Sequence, residues 1–348
     1  MQVTRANAIA DDGIIIVNKE KDMTSHDVVS CMRKLANTRK VGHGGTLDPM
    51  ATGVLVVAVG KATRMLQYIS ASWKTYRATV LLGIRTVSDD AMGEVLEITP
   101  VDEQGLQDKL DAILPEFRGD ILQAPSKVSA IKVHGKRAYD LVREGKEVEL
   151  EKRPVTIYSL EQISSLRASS SHENAYEFDI EVTCSSGTYI RSIARDIGEK
   201  LECGAHLTML ERTNVGGFTL EEAKTLQELN QYVSEQNGCN CPKSVETIPL
   251  AKLAMNMFPY SYVSKAQREK ICVGAFLPYE DFMANLSSNE NAIEKLSEKV
   301  SRENEILPKN KHKDTVFAAI YEENSHSRLV ALMTPKGKFV KPVCVFDV

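Results

Sequence analysis

The sequence predicts an α+β protein: a mixed sheet with helices packed on it, then a small β-rich C-terminal domain. Three observations carry this. Strand-like and helix-like segments are interspersed without a regular βαβ alternation. A polar stretch broken by Gly and Pro, QYVSEQNGCNCPKSVET (231–247), separates two parts of the chain. After it, TVFAAIYEENSHSRLVALMTPKGKFVKPVCVFDV reads as short strands with turns at a spacing of about ten residues.

The elements follow from local pattern. GIIIVNKE (13–20) is β-branched, apolar and bounded by Gly and charge, hence a strand. SHDVVSCMRKLAN (25–37) places Val28, Val29, Met32, Leu35 and Ala36 at helical spacing, with Thr24 or Ser25 as its cap. TGVLVVAVG (52–60) is a continuous apolar run, as in a strand covered on both faces. ATRMLQYI (62–69) is a turn or two of helix, and TYRATVLLG (75–83) a further strand. LQDKLDAILPEF (106–117) is amphipathic. AYEFDIEVTC (175–184) alternates Phe178, Ile180, Val182 and Cys184 on one side, a half-buried strand. TYIRSIARDIGEKL (188–201) lines up Ile190, Ile193, Ile197 and Leu201 on one helix face. The segment 283–313 is polar and charged with weak periodicity, a mobile insertion by expectation.

With 348 residues the chain suffices for one large domain and a smaller one. No apolar run reaches the roughly 18 residues of a membrane span, and the N-terminal apolar patch is too short for a signal peptide. The seven cysteines are scattered without a CxxC, which points to reduced thiols of a cytoplasmic protein and to neither a disulfide frame nor a metal site. The net charge of −4 carries no global signal for nucleic acid. A local one exists at 127–143, where Lys127, Lys132, Lys136, Arg137 and Arg143 face a single acid, Asp140. On charge alone a solvated surface segment is the commoner explanation.

GHGGTLDPMATGVLVVAVG (42–60) holds the first candidate. Asp48 precedes a proline, which restricts its backbone to extended geometry. Glycines 42, 44 and 45 allow another backbone or a bulky ligand to come close, and the strand behind makes a rigid support. An ordinary Asp-Pro turn accounts for the same pattern. Arg191 is the second. It lies about three residues into a helix, where a cation opposes the helix dipole, and Arg195 repeats the conflict one turn on. A buried carboxylate gripped bidentately by Arg191 resolves it, and Asp48 is the expected partner. The alternative is an Arg reaching solvent. Tyr76 on its strand reads by default as packing, and His43 between glycines as a loop histidine.

These pieces resemble a family. GHGGTLDPMATGVL (42–55) closely resembles the motif around the catalytic Asp of the TruB-type tRNA pseudouridine synthases, which act on uridine 55. NKEKDMTSHDVV (18–29), YRATVLLGIRTVSDDAMGEV (76–95), QAPSKVSAIKVHGKRAYDLVREG (123–145), SSGTYIRSIARDIGEKLECGAHLTMLER (185–212) and GGF (216–218) follow in the family's order. The likeness spans roughly residues 13 to 225. The last hundred residues look like the PUA-type RNA-binding module of bacterial members. There are departures. Glu20 and Asp22 stand where the family usually has Pro and Gly, and 125–129 reads Pro-Ser-Lys-Val-Ser, so that Ser126 and Val128 replace the usual Pro and Tyr.

The resemblance implies a mainly antiparallel sheet and a catalytic domain over 1–230 with an RNA-clamping insertion at 123–152. A linker at 231–248 and a PUA-like domain at 249–348 follow. It implies isomerisation of uridine to pseudouridine without cofactor or metal. Asp48 is the nucleophile, kept ionised by Arg191, and Tyr76 stacks on the uracil and handles the C5 proton. The base must be flipped out of the T arm; His43 fills its place, Asp90 contacts the RNA or the base, and Leu210 and Arg212 line the pocket. Lys19 joins the substrate side, and Lys132, Lys136 and Arg137 belong to the clamp. The expected partner is the T-arm stem-loop of tRNA, bound by a cytoplasmic monomer with no membrane and no obligate protein partner. Three rivals are an RNA-binding or tRNA-folding chaperone, a subunit of an RNA-guided pseudouridylating complex, and an unrelated carboxylate-nucleophile hydrolase.

Overall fold

The computed structural model describes residues 3–129, 131–133, 135–144, 150–287 and 316–347. The first half runs β1 (Gly13–Lys19), α1 (Ser25–Leu35), β2 (Val41–His43), β3 (Thr52–Val59), α2 (Leu66–Ala71), β4 (Lys74–Leu82), a hairpin of β5 (Ile84–Thr86) and β6 (Val95–Ile98), α3 (Leu106–Ile113) and β7 (Gly119–Gln123). Next come a small hairpin of β8 (Lys132–Val133) and β9 (Lys136–Arg137), α4 (Ala138–Arg143), β10 (Arg153–Gln162), β11 (Arg167–Ala168), β12 (Tyr176–Cys184), α5 (Ile190–Lys200), β13 (Ala205–Val215), β14 (Phe218–Thr219), β15 (Lys224–Thr225) and α6 (Leu226–Asn237).

The main sheet has the order β15-β1-β3-β13-β4-β12-β10-β7. Along that path only β1–β15 and β3–β13 are parallel; the other neighbours are antiparallel. The central strands read as apolar runs because both faces are covered. Ile15 and Val17 of β1 and Leu55, Val57 and Val59 of β3 enter one core with α1, α5 and α6. Their alternate neighbours Ile14, Ile16, Val54, Val56 and Ala58 enter another.

Helix starts follow their local chemistry. Thr24 caps α1 in a reciprocal capping box with Asp27. At α5 the N-cap is Tyr189, whose side chain makes no cap bond. Instead the buried Gln123 amide at the end of β7 donates to Tyr189 O (3.0 Å) and accepts from Tyr189 N (2.9 Å).

The C-terminal part contains β16 (Ile248–Pro249), α7 (Leu250–Met257), β17 (Tyr260–Tyr262), α8 (Lys265–Cys272), β18 (Leu277–Pro278), α9 (Tyr279–Met283), β19 (Leu286–Ser287), β20 (Phe317–Glu323), β21 (His326–Lys336) and β22 (Phe339–Val345). Its six-stranded sheet has the order β18-β22-β21-β20-β17-β19. Within the stretch 231–247, α6 continues to Asn237, because Leu226, Leu229 and Val233 bury one face. Ala251, Leu253, Ala254, Ala318, Ile320, Leu329, Leu332 and Phe346 share the second core with β1 and β3, and β16 pairs with β1. Of the expected insertion 283–313, only 283–287 fall among the described residues, as the end of α9 and strand β19. Among the described residues no helix is long and apolar enough to cross a membrane.

Candidate active site

The loop between β2 and β3 carries Asp48. Its glycines serve packing. A Cβ on Gly44 would sit 2.3 Å from Ile69 of α2, so this loop can close on the helix only without side chains. Gly53, with φ +102°, opens β3; a Cβ there would lie 2.3 Å from the carbonyl of Arg212. That close approach is where β3 and β13 run parallel. Asp48 O accepts from Ala51 N, and Pro49 O accepts from Asp22 N. Asp22 has φ +64°, so the departure from Gly at this position puts an L residue in the left-handed region.

The Asp48 carboxylate is 37% exposed, and the Arg191 Nε beneath it donates to Oδ2 at 2.9 Å from a side chain only 3% exposed. The expected pairing is therefore present, but its form differs: Arg191 meets Asp48 through Nε alone. The fork is spent elsewhere. Nη1 donates to Ser88 O (2.7 Å) and Ser126 Oγ (3.1 Å), and Nη2 to Val128 O (3.1 Å). Asp90 Oδ2 lies 3.6 Å from Nε. Burial works against the guanidinium's charge, and Asp48 and Asp90 more than restore it, so its pKa is pushed further up. The dipole conflict at α5 is thus resolved by carboxylates and carbonyls facing the helix start. Arg195 is treated alike: it bonds Asp196 (2.8 Å) and Ala124 O (2.9 Å) and lies 3.6 Å from Asp89.

Tyr76 is buried on β4, between Val182 of β12 and Arg212 of β13. Burial pushes its phenol up, the Arg212 guanidinium pulls it down, and Asp48 adds to the rise. The phenol therefore stays protonated near neutral pH. Leu210 is buried beside this strand, paired with Ala78. His43 ends β2 half-buried, and burial lowers its pKa, so the imidazole is neutral.

Three residues expected on the substrate side are placed inside. Arg212 is 1% exposed and donates to Val54 O, Thr46 O and Gly45 O. Lys19 is fully buried, and its Nζ donates to Glu20 O, Met23 O and Pro49 O. Burial pulls its pKa down to about 8, against the raising influence of Asp48. Asp90 is buried, and its Oδ1 accepts from Ser88 Oγ and Met92 N. All three hold the loops of the site. The backbone of Lys132 pairs with that of Arg137 in the β8–β9 hairpin; the side chains of Lys132, Lys136 and Arg137 lie outside the described residues.

Several residues of the site had no signal in the sequence. Lys74 is buried, donates to Ser70 O and Ser72 O, and has its pKa pulled down to about 8, first by burial and then by Arg212. Asp89, with φ +59°, is buried beside Arg195. A cavity of about 350 Å³ opens behind Arg195, between Arg85, Asp89, Leu122, Lys127 and Lys152. Asp48 is not in its wall; its carboxylate is partly exposed outside that cavity. Among the described residues no group of three or more His, Cys, Asp or Glu side chains could hold a metal ion.

Comparison with known proteins bears on this geometry. Residues 33–190 match the model of the "TruB family pseudouridylate synthase (N terminal domain)", and residues 191–247 that of the "tRNA pseudouridylate synthase B C-terminal domain". A protein of Paenarthrobacter aurescens (strain TC1) named tRNA pseudouridine synthase B is 45% identical over 339 residues, covering 96% of this chain and 94% of its own.

The chain belongs to the TruB family of pseudouridine synthases.

The family's reaction class is isomerisation. A relative of the same name in Arthrobacter sp. (strain FB24) is 40% identical over 96% of both chains. One in Corynebacterium diphtheriae is 50% identical over 66% of this chain and 76% of its own. The fold is shared with the Nop10–Cbf5 complex of an archaeal box H/ACA sRNP, with a TM-score of 0.63 at 24% identity over 96% of this chain and 85% of that one.

Proposed function

We propose that this member of a tRNA-pseudouridylating family isomerises uridine 55 in the T loop of tRNA, with Asp48 as the nucleophile. One observation carries the reading: a partly exposed carboxylate held by a buried guanidinium at 2.9 Å. The cation is already in place beneath the carboxylate and needs no reorganisation when a base covers it.

In the reaction the bond from N1 to C1′ breaks, the uracil turns, and a bond from C5 to C1′ forms. The proton on C5 leaves and N1 gains one, so the change is an isomerisation without oxidation. Asp48 supplies the electron pair that holds one fragment while the base turns. Tyr76, with its phenol kept protonated, fits relay of the C5 proton better than storage of it, since the phenoxide is not populated beforehand. The uridine must leave its stack, at a cost of a few kcal/mol, and the neutral imidazole of His43 is suited to rest on the bases left behind. The β8–β9 hairpin is our candidate for gripping the arm through phosphate contacts. We place Arg212, Lys19 and Asp90 as supports of the loops. The protein acts as a monomer in the cytoplasm, with the β-rich C-terminal part as a PUA-like second RNA contact.

The test uses a T-arm minihelix labelled with tritium at C5 of uridine. The purified protein alone should release the label and form pseudouridine at position 55. Asp48→Asn should bind the minihelix with unchanged affinity and lose turnover by on the order of 10⁴-fold or more. An Asn variant working near the wild-type rate would exclude Asp48 as nucleophile.

A further inference from the structure

The insertion that carries the β8–β9 hairpin is fastened to the start of α5 by an unbroken series of bonds. Gln123 bonds Tyr189 twice, Ala124 O accepts from Arg195 Nη2, Ser126 Oγ accepts from Arg191 Nη1, and Val128 O accepts from Arg191 Nη2. Within this series Ser126 is the one side-chain hydroxyl that touches the arginine holding Asp48. It is fully buried, and its Oγ also donates to Ser88 O at 3.2 Å. Ser88 O is in turn the acceptor of the shortest Arg191 bond, 2.7 Å. The hydroxyl thus closes a triangle of guanidinium, carbonyl and hydroxyl among buried groups, with the Asp89 carboxylate also in hydrogen-bond reach of it, and each partner restricts the others.

We propose that Ser126 is a positioning residue: by closing this triangle it fixes the Arg191 guanidinium under Asp48 and makes the root of the hairpin-bearing insertion part of the catalytic geometry. The inference rests on the function proposed above. Arg191 reaches Asp48 through a single Nε–H, so the direction of that bond is set by what holds Nη1 and Nη2. Removing Ser126 Oγ leaves the fork held only by Ser88 O and Val128 O, so the guanidinium plane is fixed less tightly. The carboxylate is then supported less well when the base covers it. Ser126 does not touch the substrate, so affinity for RNA should not change.

The experiment compares Ser126→Ala, Ser126→Thr and, as control, Ser192→Ala. Ser192 is equally buried on α5, next to Arg191, but its Oγ has no hydrogen-bond partner among the described residues. Two readouts are taken on the full chain. In the RNA-free protein, nitrogen-15 NMR follows the Nε–H of Arg191; its exchange with solvent should speed up by about tenfold in Ser126→Ala, as for the loss of one bond to a charged group. With saturating minihelix, the single-turnover rate should fall by about tenfold with unchanged Kd. Ser126→Thr, which keeps the hydroxyl, should restore both, and Ser192→Ala should change neither. The proposal is overturned if Arg191 exchange in Ser126→Ala matches the wild type, if Ser192→Ala has the same effect, or if the loss appears only in Kd or thermal stability. A wild-type chain that releases no tritium would overturn the function and leave the NMR readout to decide the positioning role by itself.

Discussion

The two faces of the main sheet are built from the same strands and do different work. On one face, Ile15, Val17, Leu55 and Val57 pack with Tyr76, Leu210, α1 and α5, and the polar site lies at the rim of that core. On the other, Ile14, Ile16, Val54, Val56 and Ala58 meet α7, β20 and β21, with Phe346 among them. The second face is closed by segments distant in the chain, from α7 to Phe346. Lys61 Nζ and Arg64 Nη1 add bonds to Phe346 O and Val345 O at its edge. The contrast teaches that the C-terminal part acts as half of a core as well as a candidate RNA contact. Residues one apart along a strand therefore answer to different partners: one to the face with the candidate site, the next to the C-terminal cover.

The largest expected effect tests this most bluntly. Ending the chain before Leu250 should strip the cover from β1 and β3 and give a protein that aggregates or melts without cooperativity, because a wide apolar face is then exposed. Solubility and thermal unfolding of the truncated chain are the measurements. A soluble fragment with the wild-type Tm would break the comparison and restore a separable C-terminal domain.

Arg191→Lys probes the face with the candidate site. An ammonium cannot reach Asp48, Ser88 O, Ser126 Oγ and Val128 O together, so single-turnover rates should drop by about a hundredfold. Stability should fall by about 1–3 kcal/mol, since buried acceptors lose their donor. Equal rates for the two proteins would remove Arg191 from the proposed mechanism.

Ile320→Ala is the matching probe of the other face. Ile320 is fully buried on β20, so denaturant unfolding should show a loss of about 2–5 kcal/mol. Turnover measured well below the new midpoint should be unchanged. A loss of rate in the folded variant would mean that the two faces are coupled through the sheet.

The smallest effect is at Asp22, exposed and left-handed at φ +64°. Asp22→Gly relieves the backbone but loosens the unfolded chain, so a gain of about 1 kcal/mol or less is expected, with turnover unaffected. A destabilised Gly variant would show that the carboxylate near Lys19 outweighs the backbone conformation.

The sequence by itself determined the elements whose burial is periodic over a few residues. Strands β1, β3, β4 and β12 and helices α1 and α5 were legible because their apolar spacing is local. The continuous run at 52–60 even announced that both faces of β3 would be covered. The loop around Asp48 was legible as a motif, and the conflict of Arg191 with its helix dipole pointed to a facing carboxylate. Only the tertiary structure decided how that conflict is settled. Ser88, Ser126 and Val128 lie 103, 65 and 63 residues from Arg191 in the chain, and no local pattern encodes which acceptors a guanidinium will find. The same holds for Lys19 and Arg212, which the resemblance put on the substrate side and whose bonds go to backbone carbonyls inside the protein. It holds also for the cover of the second face: a strand's alternation says that a side chain is buried, but which distant segment buries it is set by the fold.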